Sequence, residues 1–350
     1  RLDIAVNPQA FASDRYRPSD FKILESNSST PGFWAETFVF NELIANHFGY
    51  HCPNHKLAAT HTKDLVEYLT TSFSSYSHGR DTVYFSFPYA GNHEDILSFD
   101  ARVGHFEGLG GKARFLYTEE FVLETDIAID SGLKTFDGDP VRYLFLHYPN
   151  EWLIQDAGEI SGDTSLHFLP PSRPWDYIEQ LVLDGKLHRI PPITSEIIQN
   201  KAFFAFLWEG VHQQRFDQET EQVIRSLVPQ TYCTYDEAQS QGLHQVWEKP
   251  IYGREGAGII LWENRQELIN TYDPEFDDND WYQNMLAVFQ QNCDLPIYTF
   301  ADERVLLMFT VYLSPKGRAT GIGCRAVPAS KRVIDAQQGL WFPVGLANSN

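Results

Sequence analysis

Glu248-Lys-Pro-Ile-Tyr-Gly-Arg-Glu-Gly-Ala-Gly258 decides how the rest of the chain is read. Packing alone does not call for a lysine that leads into three glycines set around an Arg-Glu pair. Residues 244–247 predict a short strand before it, Pro250 predicts the end of regular pairing, and Ile259-Ile260-Leu261-Trp262 resumes an apolar strand, so the glycines stand at a β-hairpin tip. Glycine there lets backbone N–H groups approach an oxyanion, with Lys249 as a point charge beside them. The same letters also spell an ordinary hairpin with a Gly-rich turn, and residue types alone leave both readings open.

A chain of 350 residues, 43% hydrophobic and 14% aromatic, can bury a large core and has room for two or three subdomains. Its 47 acidic residues against 27 basic ones give a net charge of −20, which argues against a nucleic-acid backbone as partner. A cationic small molecule suits that charge, and so does the plain need to keep a protein dispersed. Cys52, Cys233, Cys293 and Cys324 lie far apart without paired spacing, so neither a zinc ribbon nor a disulfide framework is expected and a reducing cytoplasm is. No run of about 18 apolar residues and no basic-plus-apolar N-terminus occurs, so neither a membrane span nor a signal peptide is expected. The sequence opens on Arg1 rather than Met, and residues upstream of it are expected.

From the N-terminus, residues 1–6 and 20–27 read as two pairing strands separated by a polar loop with Asn7-Pro8 and Arg17-Pro18. Strand periodicity puts Arg1 and Asp3 on one face, and Glu25 and Asn27 on one face. Asp3, Glu25 and Asn27 offer the oxygen ligands that Mg²⁺ takes; they also read as ordinary surface polar residues. Ser28-Ser-Thr-Pro31 supplies helix-capping candidates ahead of a helix over 33–48, whose N-terminus favours phosphate or carboxylate. The four histidines and Cys52 between 46 and 61 match no zinc spacing and read as a solvated loop.

Helices over 62–76 and 94–106 alternating with strands over 82–87 and 113–117 predict a parallel sheet covered by helices. Residues 133–147 read as a hairpin turning at Asp137-Gly138, residues 148–152 as aromatic anchoring, and residues 156–174 as a connection between subdomains. Helices are expected over 175–183, 195–211, 219–227 and 281–290, the second with Ile197, Ile198, Ala202, Ala205 and Phe206 inward and Lys201 within it. Residues 297–310 and 311–326 read as a late antiparallel pair around Ser314-Pro-Lys-Gly317, with Arg325 able to face a pocket.

Lys249-Pro-Ile-Tyr-Gly-Arg-Glu-Gly256 resembles the lysine-and-loop signature of the glutathionylspermidine synthase-like family. Four further stretches match it in order: Arg1-Leu-Asp3; Glu25-Ser-Asn27 with Ser28-Ser-Thr-Pro31; Asn200-Lys201-Ala202 running to Leu207-Trp208; and Gly321-Ile-Gly-Cys-Arg325. The resemblance covers Arg1 to about Leu346 and implies a mixed α/β chain with an ATP-grasp fold, in which the metal carboxylates precede the phosphate lysines. It implies residues 1–155 as a metal- and substrate-binding portion with a pre-ATP-grasp-like subdomain, and 156–350 as ATP-binding subdomains with a Gly-rich lid at 249–258.

The activity so implied is an ATP-dependent carboxylate–amine ligation through an acyl phosphate, stabilised by positioning and electrostatics. On that resemblance Asp3, Glu25 and Asn27 hold Mg²⁺, Arg1 and Arg325 steady the reacting groups, and Lys201 and Lys249 contact ATP. Gly253, Arg254, Glu255 and Gly256 cover the phosphates as a lid that excludes water, and Ser28, Ser29 and Thr30 face the acyl substrate. Ser29 stands where the family often has Asp, which leaves the substrate open. Three readings follow: a ligase joining a peptide-like acid such as glutathione to an amine such as spermidine, a related ligase acting on another peptide or protein, and a noncatalytic nucleotide-binding partner.

Overall fold

The computed structural model describes residues 1–87, 93–118, 121–122, 132–149, 174–254, 256–271, 285–300, 302–331, 333 and 340–345. The chain forms two units, one of Arg1–Asn27, Ile197–Val311 and Gly323–Pro343, the other of Ser28–Glu196, Tyr312–Ile322 and Val344–Asn350. Among the described residues no helix is long and apolar enough to cross a membrane. The first unit begins with β1 (Leu2–Val6) and β2 (Phe21–Ser26), an antiparallel pair that sets Asp3 opposite Glu25. Their connection is more than a loop. Asn7 accepts the N–H groups of Gln9 and Ala10, and Pro8 starts the helix α1 (Pro8–Ser13).

The second unit is built on a parallel sheet. Its strands are β3 (Thr82–Phe87), β4 (Lys112–Tyr117), β7 (Tyr143–Leu146) and β8 (His188–Ile190), in the order β4-β3-β7-β8; β5 (Phe121–Val122) and β6 (Lys134–Thr135) form a separate small ribbon. Alternation along β3 sends Val83, Phe85 and Phe87 to one face, where Leu65, Leu69, Phe99 and Phe106 cover them from the helices Leu57–Ser72 and His93–Gly108. Tyr84, Leu144 and Leu146 go to the other face, against Ile178 and Leu181 of the helix Pro174–Leu183. Each of these large side chains stabilises the unit by about 1.5–3 kcal/mol through burial. The turn at Asp137-Gly138 forms, with Gly138 N–H donating to Thr135 O at φ 85, but β7 is a central parallel strand rather than the return arm of a hairpin.

Other helices of this unit depart from expectation. The segment after Phe33, which has φ 66, continues through a π turn over Glu36–Phe40 into Asn41–His47. The helix expected over 62–76 runs instead from Leu57 to Ser72, so His61 is helical; its ring is held by Thr320 at 2.8 Å, and burial and then Arg102 bring it down to about 3. Asn54 is buried and clasps two segments, donating to Thr37 O and Ile322 O and accepting from Ile322 N–H at 2.7–2.8 Å. Gly321 has a packing reason: a Cβ there would lie 2.4 Å from the Phe38 ring. The connection expected over 156–174 lies, apart from Pro174, outside the described residues.

The chain returns to the first unit through Ser195–Gln199 and Ala202–His212, two helices where one was expected. Asn200 breaks them, its side chain taking the Ala202 N–H at 2.8 Å. This break also rotates the buried face: Phe204, Ala205, Trp208 and Val211 are buried, whereas Ile197, Ile198 and Phe206 are exposed. After the helix Gln218–Leu227 come β9 (Thr231–Tyr232), the helix Tyr235–Ser240, β10 (Gln245–Pro250), β11 (Ile260–Glu263), β12 (Gln266–Asn270) and β13 (Ala287–Gln291), an antiparallel sheet in the order β12-β11-β10-β13-β9. The helix expected over 281–290 is thus overturned for Ala287–Gln291, which pairs with β10 and β9; residues 281–284 lie outside the described residues. Pro250 does not end pairing but stands opposite Ala287.

β14 (Ile297–Phe300), β15 (Glu303–Leu313), β16 (Ala319–Pro328) and β17 (Leu340–Trp341) complete the sheet β17-β16-β15-β1-β2, with β14 on β15. The single strand expected over 297–310 is divided at Asp302, which has φ 71.

Candidate active site

The first unit encloses a cavity of about 960 Å³. Antiparallel pairing decides which side chains reach it. Along β10, Val246 packs with Ala238 and Phe289 behind the sheet, so Gln245, Trp247 and Lys249 project to the opposite face and line the cavity. Leu261, opposite Trp247 on β11, joins them. Glu25 of β2, Met308 of β15 and Arg325 of β16 contribute from the other sheet. Gly253 and Gly256 come from the β10–β11 hairpin, where Gly256 has φ 78 and accepts the Thr271 hydroxyl at 2.6 Å.

Lys201 is not inside a helix but caps the N-terminal end of Ala202–His212, and it is buried. Its Nζ donates to Gly253 O at 2.6 Å and lies 3.5 Å from Glu25 Oε2, while its own N–H donates to Ile251 O. The hairpin is therefore tied to this lysine by side chain and main chain together. Burial works to raise the Glu25 carboxyl, yet Lys201, a side-chain hydrogen bond with Asp3, Lys249 and Arg325 together outweigh it and hold the group well below the usual carboxylate range. Burial brings the Lys249 ammonium down to about 8, with Glu25 opposing the change and Lys201 adding to it. Lys249 Nζ donates to Gln290 Oε1 at 2.6 Å.

Beside this pair, Asp3 is fully buried and its Oδ2 accepts from Arg1 at 3.1 Å and Arg325 at 2.7 Å. Burial pushes the Asp3 carboxyl up, the two arginines oppose, and Glu25 adds to the rise. Asp3 Oδ1 has no hydrogen-bond donor among the described residues. Asp3 Oδ1 and the ionised Glu25 are oxygen donors of the kind a divalent cation takes, and no group of three or more His, Cys, Asp or Glu residues that could hold a metal occurs among the described residues. Asn27 is held beside Arg1 through its backbone, its N–H donating to Arg1 O at 2.8 Å and its carbonyl accepting from the Arg1 amine at 3.0 Å.

Of the residues named from sequence, Arg1, Asp3, Glu25, Asn27, Lys201, Lys249, Gly253, Arg254, Gly256 and Arg325 all lie in the first unit, whereas Glu255 is outside the described residues. Ser28, Ser29 and Thr30 belong to the second unit: Ser28 Oγ donates to Ser195 O at 2.9 Å, Ser29 is buried, and Thr30 O accepts from Gly32 N–H. Sequence reading missed the wall formed by Trp247 and residues 292–295, and missed Gln290 behind Lys249. Ala287-Val-Phe-Gln-Gln291 carries no alternation of apolar and polar residues, and the one local signal is the turn composition of Asn292-Cys-Asp-Leu-Pro296 after it. In that wall the Cys293 thiol is pushed up to about 11 by burial and so stays neutral, while Asn292 accepts from Trp247 Nε1 at 2.8 Å.

Two lysines and a Gly-rich hairpin on one side of a cavity, with Glu25 and Arg325 contributed from the other sheet, suit the ATP-grasp-related fold. A family model described as glutathionylspermidine synthase preATP-grasp matches residues 10–336, and the chain belongs to that family. Among solved structures, a glutathione synthetase-like effector from Globodera pallida in its apo form is similar in fold, aligning over 99% of this chain and 75% of its own at 10% identity and a TM-score of 0.52. A candidate gamma-glutamylcysteine synthetase from Methylobacillus flagellatus aligns over 83% of this chain and 73% of its own, at 11% identity and a TM-score of 0.46. No curated protein matches the chain.

Proposed function

We propose that the protein is an ATP-dependent carboxylate–amine ligase that forms an amide bond through an acyl phosphate. Glutathione with spermidine is the first substrate pair to test, and its four free cysteines suit a reducing cytoplasm. The observation that carries this reading is the gathering of Lys201, Lys249, Glu25 and Arg325 around one cavity beneath the Gly253–Gly256 turn. Bound MgATP would supply a phosphoryl group that makes a carboxylate oxygen a leaving group.

In this reading Asp3, Glu25 and Asn27 hold the metal, and Lys201 and Lys249 hold nucleotide phosphates. Lys201 already carries an oxygen acceptor at 2.6 Å, the Gly253 carbonyl, so its ammonium is oriented for one. Arg1 and Arg325, fixed on Asp3 Oδ2, present delocalised charge without needing to reorganise as negative charge develops. The hairpin's glycines bring backbone N–H groups close and exclude water. Ser28, Ser29 and Thr30 keep the role toward the acyl substrate that the family resemblance gives them.

The test is ADP release by the full chain with MgATP, screened across glutathione, amino acids and polyamines. Release that requires both an acid and an amine is expected. Absence of ADP release together with no MgATP-dependent rise in melting temperature would overturn the assignment.

A further inference from the structure

Behind Lys249 lies a line of polar groups that runs across three strands on one face of the sheet. Trp247 and Gln290 are directly opposite each other in the β10–β13 pair, and Gln290 is directly opposite Thr231 in the β13–β9 pair. Lys249, two residues from Trp247, shares that face, so Lys249 and Gln290 form a diagonal cross-strand pair. Gln290 and Thr231 are each only 1% exposed. Neither lines the cavity, which Lys249 does.

The direction of the Gln290 amide follows from proton counting. Thr231 Oγ1 donates its single proton to Pro229 O at 2.9 Å, so toward Gln290 it can only accept. It therefore takes a proton from Gln290 Nε2, at 3.5 Å, and this leaves Oε1 as the end that faces Lys249 Nζ at 2.6 Å. A flipped amide would set its NH₂ group against an ammonium and its oxygen against a hydroxyl oxygen whose only proton is committed to Pro229. The acceptor is also neutral, so it fixes the direction of the ammonium without cancelling its charge. Glu25, Lys201, Asp3 and Cys293 are the other ionisable groups that act on Lys249, and none of them donates to or accepts from its Nζ in place of Gln290 among the described residues.

We propose that Gln290 is a positioning residue, locked by Thr231, which aims the Lys249 ammonium at the phosphate-bearing ligand of the cavity. This rests on the nucleotide-binding reading given above. One proton of Nζ is held from behind, and the remaining two are left to point forward into the cavity.

The experiment is ATP affinity by calorimetry with the full chain, in a double-mutant cycle of Gln290→Met with Lys249→Met. Gln290→Met should weaken ATP binding about tenfold, the equivalent of one charge-assisted hydrogen bond of about 1.4 kcal/mol. In the Lys249→Met background the same change should have no further effect, because there is no ammonium left to aim. Gln290→Glu should also weaken binding, since it keeps the acceptor but neutralises the lysine. Should Gln290→Met fail to fold, Thr231→Val carries the test, with a two- to threefold loss of the same sign that vanishes in Lys249→Met. Equal affinity of wild type and Gln290→Met, or an undiminished loss in the Lys249→Met background, overturns the inference alone. A wild-type chain that binds no ATP overturns the nucleotide reading and this inference with it.

Discussion

Lys249→Met should make the protein more stable at neutral pH while weakening nucleotide binding. Bringing an ammonium from 10.5 down to about 8 corresponds to about 3 kcal/mol against keeping it charged in the fold. Removing it leaves Gln290 Oε1 buried without its donor, which costs about 1–3 kcal/mol. The balance is a gain of about 1 kcal/mol at pH 7, or a rise in melting temperature of about 2 °C. The sign changes with pH. Between about 8 and 10.5 the unfolded wild-type lysine still holds its proton while the folded one has lost it, so wild-type stability rises with pH across that window. The variant lacks this limb and should fall below wild type by pH 10. Urea unfolding at pH 7 and pH 10 reads both differences. A variant that is less stable at pH 7, or a gap that does not move with pH, would show that Lys249 is not held against its desolvation.

Glu25→Gln should abolish ADP release while the fold persists. Glu25 is ionised well below its ordinary 4.5, so it contributes stability present above that pH and lost as the pH falls, and acid unfolding of the variant should lack this part. Gly256→Val places a β-branched residue at φ 78 and should cost about 1–3 kcal/mol as well as lowering turnover; a fully active, equally stable variant would mean that the turn relaxes freely. MgATP should slow tryptic cleavage at Arg254, as gel analysis of timed digests will show, and equal cleavage with and without it would remove the lid role. In the second unit, Asn54→Ala removes three buried hydrogen bonds and should lower unfolding free energy by about 2–4 kcal/mol without changing ATP affinity in the first.

The parts of the fold that were legible are those whose pattern is local. Thr82–Phe87 alternates large apolar groups between two covered faces, and the Gly-rich hairpin is bracketed by strand letters on both sides. Ala287–Gln291 was not legible as a strand because Met285, Leu286, Val288 and Phe289 also satisfy helical spacing, and what decides the matter is pairing with β10 and β9, tens of residues away. Losing that strand meant losing Gln290 and the wall after it. The break at Asn200 was hidden for a different reason: a single side chain captures one N–H and resets the helix phase, which no periodicity window registers. Glycine, lysine and carboxylate letters could be read apart from these errors, because they carry their chemistry whatever element they stand on.

The pairing of β1 with β15 sets a timetable for synthesis. Leu2 finds its partner Val311 roughly 300 residues later in the chain, which at 5–20 residues per second is about 15–60 s of translation. Arg1, Asp3 and Glu25 leave the ribosome long before β15, yet Asp3 meets Arg325 only when β16 has followed. Meanwhile the parallel sheet of Ser28–Glu196 has all its strands and can fold on nearby contacts. A nascent chain stopped before β15 would thus carry that sheet and the site's first carboxylates, but neither Arg325 beside Asp3 nor the cavity lining that β15 and β16 supply. Completion of the cavity is therefore withheld until late in translation.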